Sequence, residues 1–163
     1  MEGEQFVHNN YLTRNVWSGV FFGLGLIAFI DEGVFHQLLH WHHFYDKSTL
    51  EVGLVSDGFF HAFSWFATIA GLFMVADLRR RRVWIVKRWW GGVLLGAGLF
   101  QLYDGLIQHK IFGLHQIRYV DNVIYYDWVW NVIAVIMIAA GGMLLKATGK
   151  MPQNKREKKV HGA

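Results

Sequence analysis

Histidine and aspartate side chains recur at short spacings in three stretches of this sequence, 31–43, 57–61 and 104–115. Neutral imidazole and carboxylate are the ligand types that suit zinc, copper(II) and iron. The chain contains no cysteine, so a thiolate site and a disulfide framework are both excluded. These stretches therefore predict a transition-metal ion (copper, iron or zinc) as the cofactor.

The residues predicted to form this site fall into two groups. The predicted metal ligands are His36, His42, His43, His61, His109, His115 and Asp57. Three further carboxylates are predicted to orient the imidazole rings from behind, and these are Asp31, Asp104 and Asp127. Asp57 also suits this second role. No pattern typical of a serine or cysteine nucleophile, a phosphate loop or a dinucleotide site is present.

Local spacing limits which of these residues can meet on one helix. Asp57 and His61 are four residues apart and share a helical face. Asp31 and His36 are five apart, which separates them by about 140° on a regular helix. A wide turn at this point would align the two side chains, and such turns often occur at functional sites.

The elements that carry these residues are predicted to be membrane helices. Apolar residues make up 53% of the 163-residue chain, with 13 Phe and 8 Trp, more than a soluble domain of this size can hide. A hydrocarbon core of roughly 30 Å needs about 20 helical residues. Four apolar stretches meet or approach that length, namely 17–39, 59–75, 89–107 and 123–145. We predict an all-α fold, an integral membrane four-helix bundle, with one domain over 1–150 and a basic cytoplasmic tail over 151–163.

The basic residues predict the orientation of the bundle. All but three of the 16 Lys and Arg residues lie before the first span, between the second and third, or after the fourth. The exceptions are Lys47, Lys110 and Arg118. The positive-inside rule then places both termini in the cytoplasm and the histidines at the extracytoplasmic face of the inner membrane. These charges flank spans and belong to no nucleic-acid-binding module, so the predicted partner is the lipid bilayer and not a nucleic acid.

The two halves of the chain resemble each other, which predicts an internal repeat. W-S-G-V-F-F-G-L-G-L, starting at Trp17, aligns with W-G-G-V-L-L-G-A-G-L, starting at Trp90, at a shift of 73 residues. The same shift pairs Asp31 with Asp104, His36 with His109 and His42 with His115, and a shift of 70 pairs Asp57 with Asp127. Each half is one hairpin in the same orientation, so a pseudo-twofold axis along the membrane normal is expected. The Gly-x-x-x-Gly pairs in each half are predicted to be close-packing surfaces.

Counting along the helices brings several of these residues to one depth. His36 and His109 are expected about 7 Å above Asp31 and Asp104, which themselves lie about 21 Å from the inner boundary. His61, Asp57 and Asp127 are expected near the level of the two histidines. Carboxylates in hydrocarbon cost about 2.5–3.5 kcal/mol on insertion scales, so they are expected to face the bundle interior and to have partners there.

The motif around D-E-G-V-F-H-Q-L-L-H-W-H-H (residues 31–43), with D-G-F-F-H (57–61) and Y-D-G-L-I-Q-H-K-I-F-G-L-H (103–115), resembles a bacterial family of predicted four-span membrane proteins of unknown function. The resemblance covers about residues 15–145 and implies no assigned reaction. It implies an association with copper-dependent respiratory oxidase assembly. The sequence departs from the family pattern at four positions, where Glu32 stands for Gly, His40 for Gln, and Lys110 and Gln116 for His.

The favoured hypothesis is a membrane metal-binding protein with an outward-facing His/Asp site, serving metal handling or oxidase assembly. One alternative is a small proton or ion transporter that uses buried Asp and His side chains. A second is a membrane-embedded metal-dependent oxidoreductase, and whether the protein is an enzyme stays open at this point. A hydrogen-bonded Asp–His lattice without metal and a haem held by two histidines are the structural alternatives. A larger membrane complex and a homo-oligomer are both compatible with these hypotheses.

Overall fold

The computed structural model describes residues 2–148, with side chains from residue 9 onward, and the predicted basic tail over 151–163 lies outside them. The described chain is all-α. Helix α1 spans Glu2–Ile30 and continues into a π-helical segment, π1, over Asp31–Leu38. Helix α2 spans Leu50–Arg80. Helix α3 spans Val86–Tyr103 and continues into π2 over Asp104–Phe112, and α4 spans Val123–Ala147.

Within residues 2–148, three helical segments are long and apolar enough to cross a membrane, and they cover Asn9–Leu38, Leu50–Arg80 and Val123–Ala147. The predicted second span, 59–75, lies within α2, which extends beyond it at both ends and carries polar residues there. Thr49 caps its first turn, and Arg79 and Arg80 lie in its last turn. The third predicted span, 89–107, falls on α3 and π2, which are not among the three segments. Glycine contributes little hydropathy, and α3 contains four glycines in its buried face.

Helices α1 and α3 form the central pair, with α2 packed on α1 and α4 packed on α3. The central contact is made by two Gly-x-x-x-Gly pairs, Gly19 with Gly23 in α1 and Gly92 with Gly96 in α3. A Cβ on Gly23 would lie 2.1 Å from the carbonyl oxygen of Val93, and a Cβ on Gly96 would lie 2.2 Å from that of Val20. The backbones therefore touch along this seam, and no side chain larger than hydrogen fits there.

The contacts that the outer helices make also lie at equivalent positions in the two hairpins. Gly71 of α2 lies against Phe22 of α1, and Gly141 of α4 lies against Leu95 of α3. These partners are 70 residues apart in the outer helices and 73 apart in the inner helices, the same shifts that align the two halves of the sequence.

Two loops, 39–49 and 113–122, close one end of the bundle over the π-helices. They pair through the Asp46 amide, which donates to the Leu114 carbonyl at 3.1 Å, and through the Tyr119 hydroxyl, which donates to Asp46 at 2.9 Å. Burial and this hydrogen bond raise the pKa of Tyr119 to about 12, so the phenol stays protonated as a donor. Arg118 stacks over the Trp41 ring at 4.7 Å.

The opposite end of the bundle is tied by polar contacts to the short loop between α2 and α3. The buried Asn15 side chain donates to the Val83 carbonyl at 2.9 Å and accepts from the Ile85 amide at 2.7 Å. Arg14 pairs with Asp77 at 2.8 Å. These contacts fix the vertical register of α1 against its neighbours and so fix the depth of the π-helices at the far end.

Candidate metal centre

The π-helices bring each aspartate to the histidine five residues later. Asp31 and Asp104 are the first residues of π1 and π2. The Nε2 atom of His36 lies 3.9 Å from the Asp31 carboxylate, and that of His109 lies 3.1 Å from the Asp104 carboxylate. The predicted wide turn is therefore confirmed in both halves. π-bulges of this kind are concentrated at functional sites because they redirect side chains at a cost in helix regularity.

His42 and His115 enter the same space from the two loops, and each is oriented by the opposite loop. The Nδ1 atom of His42 lies 3.0 Å from the Ile117 carbonyl oxygen, and that of His115 lies 2.9 Å from the Phe44 carbonyl oxygen. A carbonyl only accepts, so both Nδ1 atoms carry the proton. The lone pair of each neutral ring is then on Nε2, where it is free to bind a metal.

Four imidazoles and two carboxylates form one buried cluster. We call Asp31, His36 and His42 the first half-site, and Asp104, His109 and His115 the second half-site. All six side chains are at most 4% exposed.

The spacing of the rings is nearly the same in both half-sites. The ring centroids lie 4.5 Å apart within the first, for His36 and His42, and 4.7 Å apart within the second, for His109 and His115. Between half-sites, the His42 and His115 rings lie 4.5 Å apart, whereas His36 lies 6.2 Å from His115 and His42 lies 6.1 Å from His109. The six ligand-type residues thus form two similar triads that share one interior space.

The nitrogen atoms that face this space have no hydrogen-bond partner among the described residues. They are the Nε2 atoms of His36, His42, His109 and His115. Within the cluster, ligand atoms of His42, His109 and His115 lie within 4.8 Å of one another, as do those of Asp31, His36 and His42. A buried polar atom without a partner costs about 1–3 kcal/mol, so four in one place indicate a ligand that satisfies them.

The protonation state of His42 fits a metal ligand. Burial, together with the neighbouring imidazoles of His115 and His36, lowers the pKa of His42 to about 2. The ring is therefore neutral at physiological pH. A neutral imidazole is the form that coordinates zinc, copper or iron, since protonation of Nε2 removes the lone pair.

Carboxylates lie behind His36 in the first half-site. The His36 Nδ1 atom lies 3.0 Å from Asp57 and 2.9 Å from Glu32. Asp57 also accepts from the Phe44 amide at 2.7 Å and lies 2.6 Å from the Nδ1 atom of His43. A carboxylate behind a ligating histidine fixes its tautomer and raises its basicity. Asp57 thus lies on the Nδ1 side of His36, and Glu32, His36 and Asp57 form a further group of ligand-type atoms within 4.8 Å of one another.

In the second half-site, no carboxylate of the described residues lies within hydrogen-bond distance of the His109 Nδ1 atom. The Asp127 carboxylate lies 3.8 Å from His109 Nδ1, beyond hydrogen-bond distance, and it pairs instead with the Lys110 ammonium. Gly105 stands where the first half has Glu32. Gln108 donates to Asp104 at 3.1 Å and so holds the inner carboxylate from the other side.

The structure brings most, but not all, of the sequence-predicted residues together. Asp31 and Asp104, predicted to lie behind the histidines, are members of the inner cluster. His43 lies one layer out, against Asp57. His61 is exposed and points away, with its Nε2 accepting from the Trp65 indole at 3.1 Å and its ring against Phe29. The i, i+4 spacing predicted a shared helical face for Asp57 and His61, but Asp57 is buried and His61 is exposed, so the spacing did not determine which of them faces the interior.

Two residues of the site were missed in the sequence. Glu32 is not among the predicted site residues, yet its carboxylate is 1% exposed and contacts His36. Gln108 is not among them either, yet it donates to Asp104. Both lie four residues from a site residue, Glu32 from His36 and Gln108 from Asp104, and this i, i+4 spacing was the available signal.

Two apolar grooves of about 520 Å³ each flank the cluster on the outer surface of the bundle. The first lies between α2 and α3 and includes Phe44 and Phe60; the second lies beside α4 and includes Phe35 and Trp130. The Phe60 ring is 5.6 Å from the His36 ring. The first groove is also lined by Gln108, which donates to Asp104, so its wall contacts the His/Asp cluster.

Comparison with protein families matches residues 18–148 to the family described as predicted membrane protein (DUF2243). The matched range includes every residue of the two half-sites and both π-helices. No curated protein and no solved structure matches the chain.

Proposed function

Since this chain belongs to the DUF2243 family of predicted membrane proteins, we propose that it acts in the membrane as a metal-binding protein, with a buried His/Asp centre for copper, iron or zinc. The centre would be held by the two half-sites. Asp57 and Asp127 would stand behind His36 and His109, and His43 would stand behind Asp57. His61 takes no part in this proposal.

One observation carries the proposal: four buried imidazoles present unprotonated or unpartnered Nε2 atoms to a common space that also contains two carboxylates. A metal-free Asp–His lattice would pair these nitrogens with carboxylates, and the His109 Nε2 atom does lie 3.1 Å from the Asp104 carboxylate. Such a lattice would also require His42 and His115 to donate from Nε2. Instead the Nδ1 atoms of His42 and His115 use their protons on backbone carbonyls, which leaves their Nε2 atoms only able to accept. A cation satisfies all of these acceptors at once.

The proposal includes a pseudo-twofold axis through the centre, between His42 and His115. Support comes from contacts that recur at the repeat shifts in the seam, in the outer helices and in the loops. His42 bonds to Ile117 while His115 bonds to Phe44, and these four residues are exchanged by a shift of 73. Such an axis would make the centre suited to one shared metal ion or to two.

We place the centre near the extracytoplasmic face, with both termini in the cytoplasm. The support is the charge of the loops, because Arg79–Arg82 lie at the opposite end of the bundle from the half-sites. A metal centre at that face suits metal handling there, or a role in the assembly of a metal-containing respiratory oxidase.

The central seam favours retention of a metal over its transport. A cytoplasmic route from the centre would run between α1 and α3, where a Cβ on Gly19 would already lie 2.2 Å from the Trp89 carbonyl oxygen. A space too small for a methyl group admits neither an ion nor a water chain. The proton or ion transporter is therefore the less favoured alternative.

A second candidate function is supported by the two grooves. Each is apolar and about 520 Å³, and the wall of the first includes Gln108, which donates to Asp104. Those features suit a metal-dependent oxidoreductase that acts on a lipid-soluble molecule, which would enter from the bilayer.

The test is the metal content of the full-length protein, purified in detergent and measured by mass spectrometry beside the His36→Ala/His109→Ala double variant. His40→Ala, an exposed histidine outside the half-sites, is the matched control. Stoichiometric copper, iron or zinc in the wild type and the control, lost in the double variant, supports the proposal. Wild-type protein that holds no metal and takes up none when each ion is offered overturns it.

A further inference from the structure

The two half-sites have the same inner ligands, but their surroundings differ in charge. At a shift of 73 residues, Glu32 corresponds to Gly105 and Gln37 corresponds to Lys110. The first half of the centre therefore has an additional carboxylate, and the second half has an additional ammonium group. Both changes make the first half more attractive to a cation.

The carboxylates of the first half are not neutralised by a basic side chain among the described residues. The ion pairs of Asp31, Glu32 and Asp57 are all with histidine rings. Glu32 and Asp57 are each 1% exposed, so solvent screens their charge poorly. A divalent ion bound to His36 would lie near all three carboxylates.

In the second half-site, the positive charge of Lys110 offsets part of the negative charge of the carboxylates. Its ammonium group contacts Asp127, the counterpart of Asp57. As a result the His109 Nδ1 atom has no hydrogen-bond partner in the described part of the chain, whereas the His36 Nδ1 atom has two acidic neighbours. His109 is therefore less firmly oriented than His36.

We infer that the centre binds two divalent metal ions with unequal affinity, the first half-site filling first, and that Lys110 sets the difference. This inference rests on the proposed metal-binding function. With three carboxylates in one half, against two carboxylates and an ammonium in the other, the halves differ by two elementary charges. Lys110 acts through Asp127 and through its own charge, so it is a positioning and tuning residue and not a ligand.

The experiment is a titration of metal-stripped, full-length protein in nanodiscs with Co²⁺, followed by its visible absorption, and then with Zn²⁺ by calorimetry. Wild-type protein is expected to bind in two steps separated by about 100-fold in affinity. His109→Ala should keep the tight step and lose the weak one, and His36→Ala should do the reverse. Lys110→Gln, which copies Gln37, should strengthen the weak step about tenfold. Lys47→Gln, an exposed lysine of loop 39–49, is the charge-matched control and should change neither step.

Three results would overturn the inference. Two steps of equal affinity in the wild type would mean that the charge difference is not felt by the ions. A single ion lost equally in His36→Ala and His109→Ala would mean that the halves share one metal. A weak step unchanged by Lys110→Gln would remove Lys110 as its determinant. Each of these leaves the proposed metal binding intact, whereas absence of any Co²⁺ or Zn²⁺ binding contradicts that function itself.

Discussion

The imidazole rings of His42 and His115 are stacked, with centroids 4.5 Å apart and an angle of 4° between their planes. Each ring is anchored by a carbonyl oxygen of the loop that carries the other. Neither loop can therefore present its histidine correctly without the second loop in place. The two hairpins are coupled at this point.

Asp57→Asn is expected to weaken metal binding about 10- to 100-fold, since Asp57 is a buried carboxylate that orients His36 and also accepts from the Phe44 amide. Asp127→Asn should have a smaller effect because Asp127 does not bond to His109. Calorimetric titration with Zn²⁺ measures both, with Asp121→Asn, an exposed aspartate, as the control. An equal loss in Asp57→Asn and Asp127→Asn would contradict the orienting role assigned to Asp57.

Gly23→Ala is expected to destabilise the protein by about 1–3 kcal/mol, because its Cβ would overlap the Val93 backbone, which cannot move aside. Gly142→Ala is the matched control. It lies in the outer helix α4 with nothing within 4 Å of the added Cβ, and alanine has the higher helix propensity. Thermal unfolding in detergent, followed by circular dichroism, should show a lower Tm for Gly23→Ala only. A similar loss in Gly142→Ala would point to a general sensitivity of the helices.

His40→Gly is expected to stabilise the protein by about 0.5–1 kcal/mol, because His40 has a φ of 49° and pays for a left-handed conformation that glycine adopts freely. The counterpart in the other half is Gly113, with a φ of 56°. Gly113→Ala should therefore destabilise by about 1 kcal/mol. The two variants have opposite signs at equivalent positions, and the same thermal unfolding assay compares them. A lower Tm for His40→Gly would show that the His40 side chain makes a contribution larger than the strain.

His61→Ala is expected to leave the metal content unchanged, although the sequence pattern predicted His61 to be a ligand. The side chain is exposed on α2 and bonds to Trp65 instead of entering the cluster. His115→Ala, which removes an inner ligand, should lose metal under the same conditions. Mass spectrometry of both purified variants is the measurement, and loss of metal from His61→Ala would restore His61 to the site.

Much of the architecture could be predicted because local sequence rules govern it. The apolar stretches predict helices, and the shift between Trp17 and Trp90 predicts that the two hairpins resemble each other. The five-residue spacing of Asp31 and His36 even predicted the wide turn, since only an inserted residue brings those two side chains to one side. Helix α2 extends beyond the apolar stretch 59–75 at both ends, because its first and last turns carry polar residues that hydropathy does not mark as part of a span.

The sequence by itself determined which residue types are available, near which end of the helices they lie, and that thiolate chemistry is excluded. Only the tertiary structure decided which of them meet. It placed Asp31 and Asp104 in the buried cluster, Asp57 against the Nδ1 atom of His36, and His61 on the outer surface. The reason is that helical spacing defines a face but not its partner. The partner is decided by the glycine seam of α1 and α3, which sets how the two π-helices face each other, and by two loops whose carbonyl oxygens orient His42 and His115 across the hairpins.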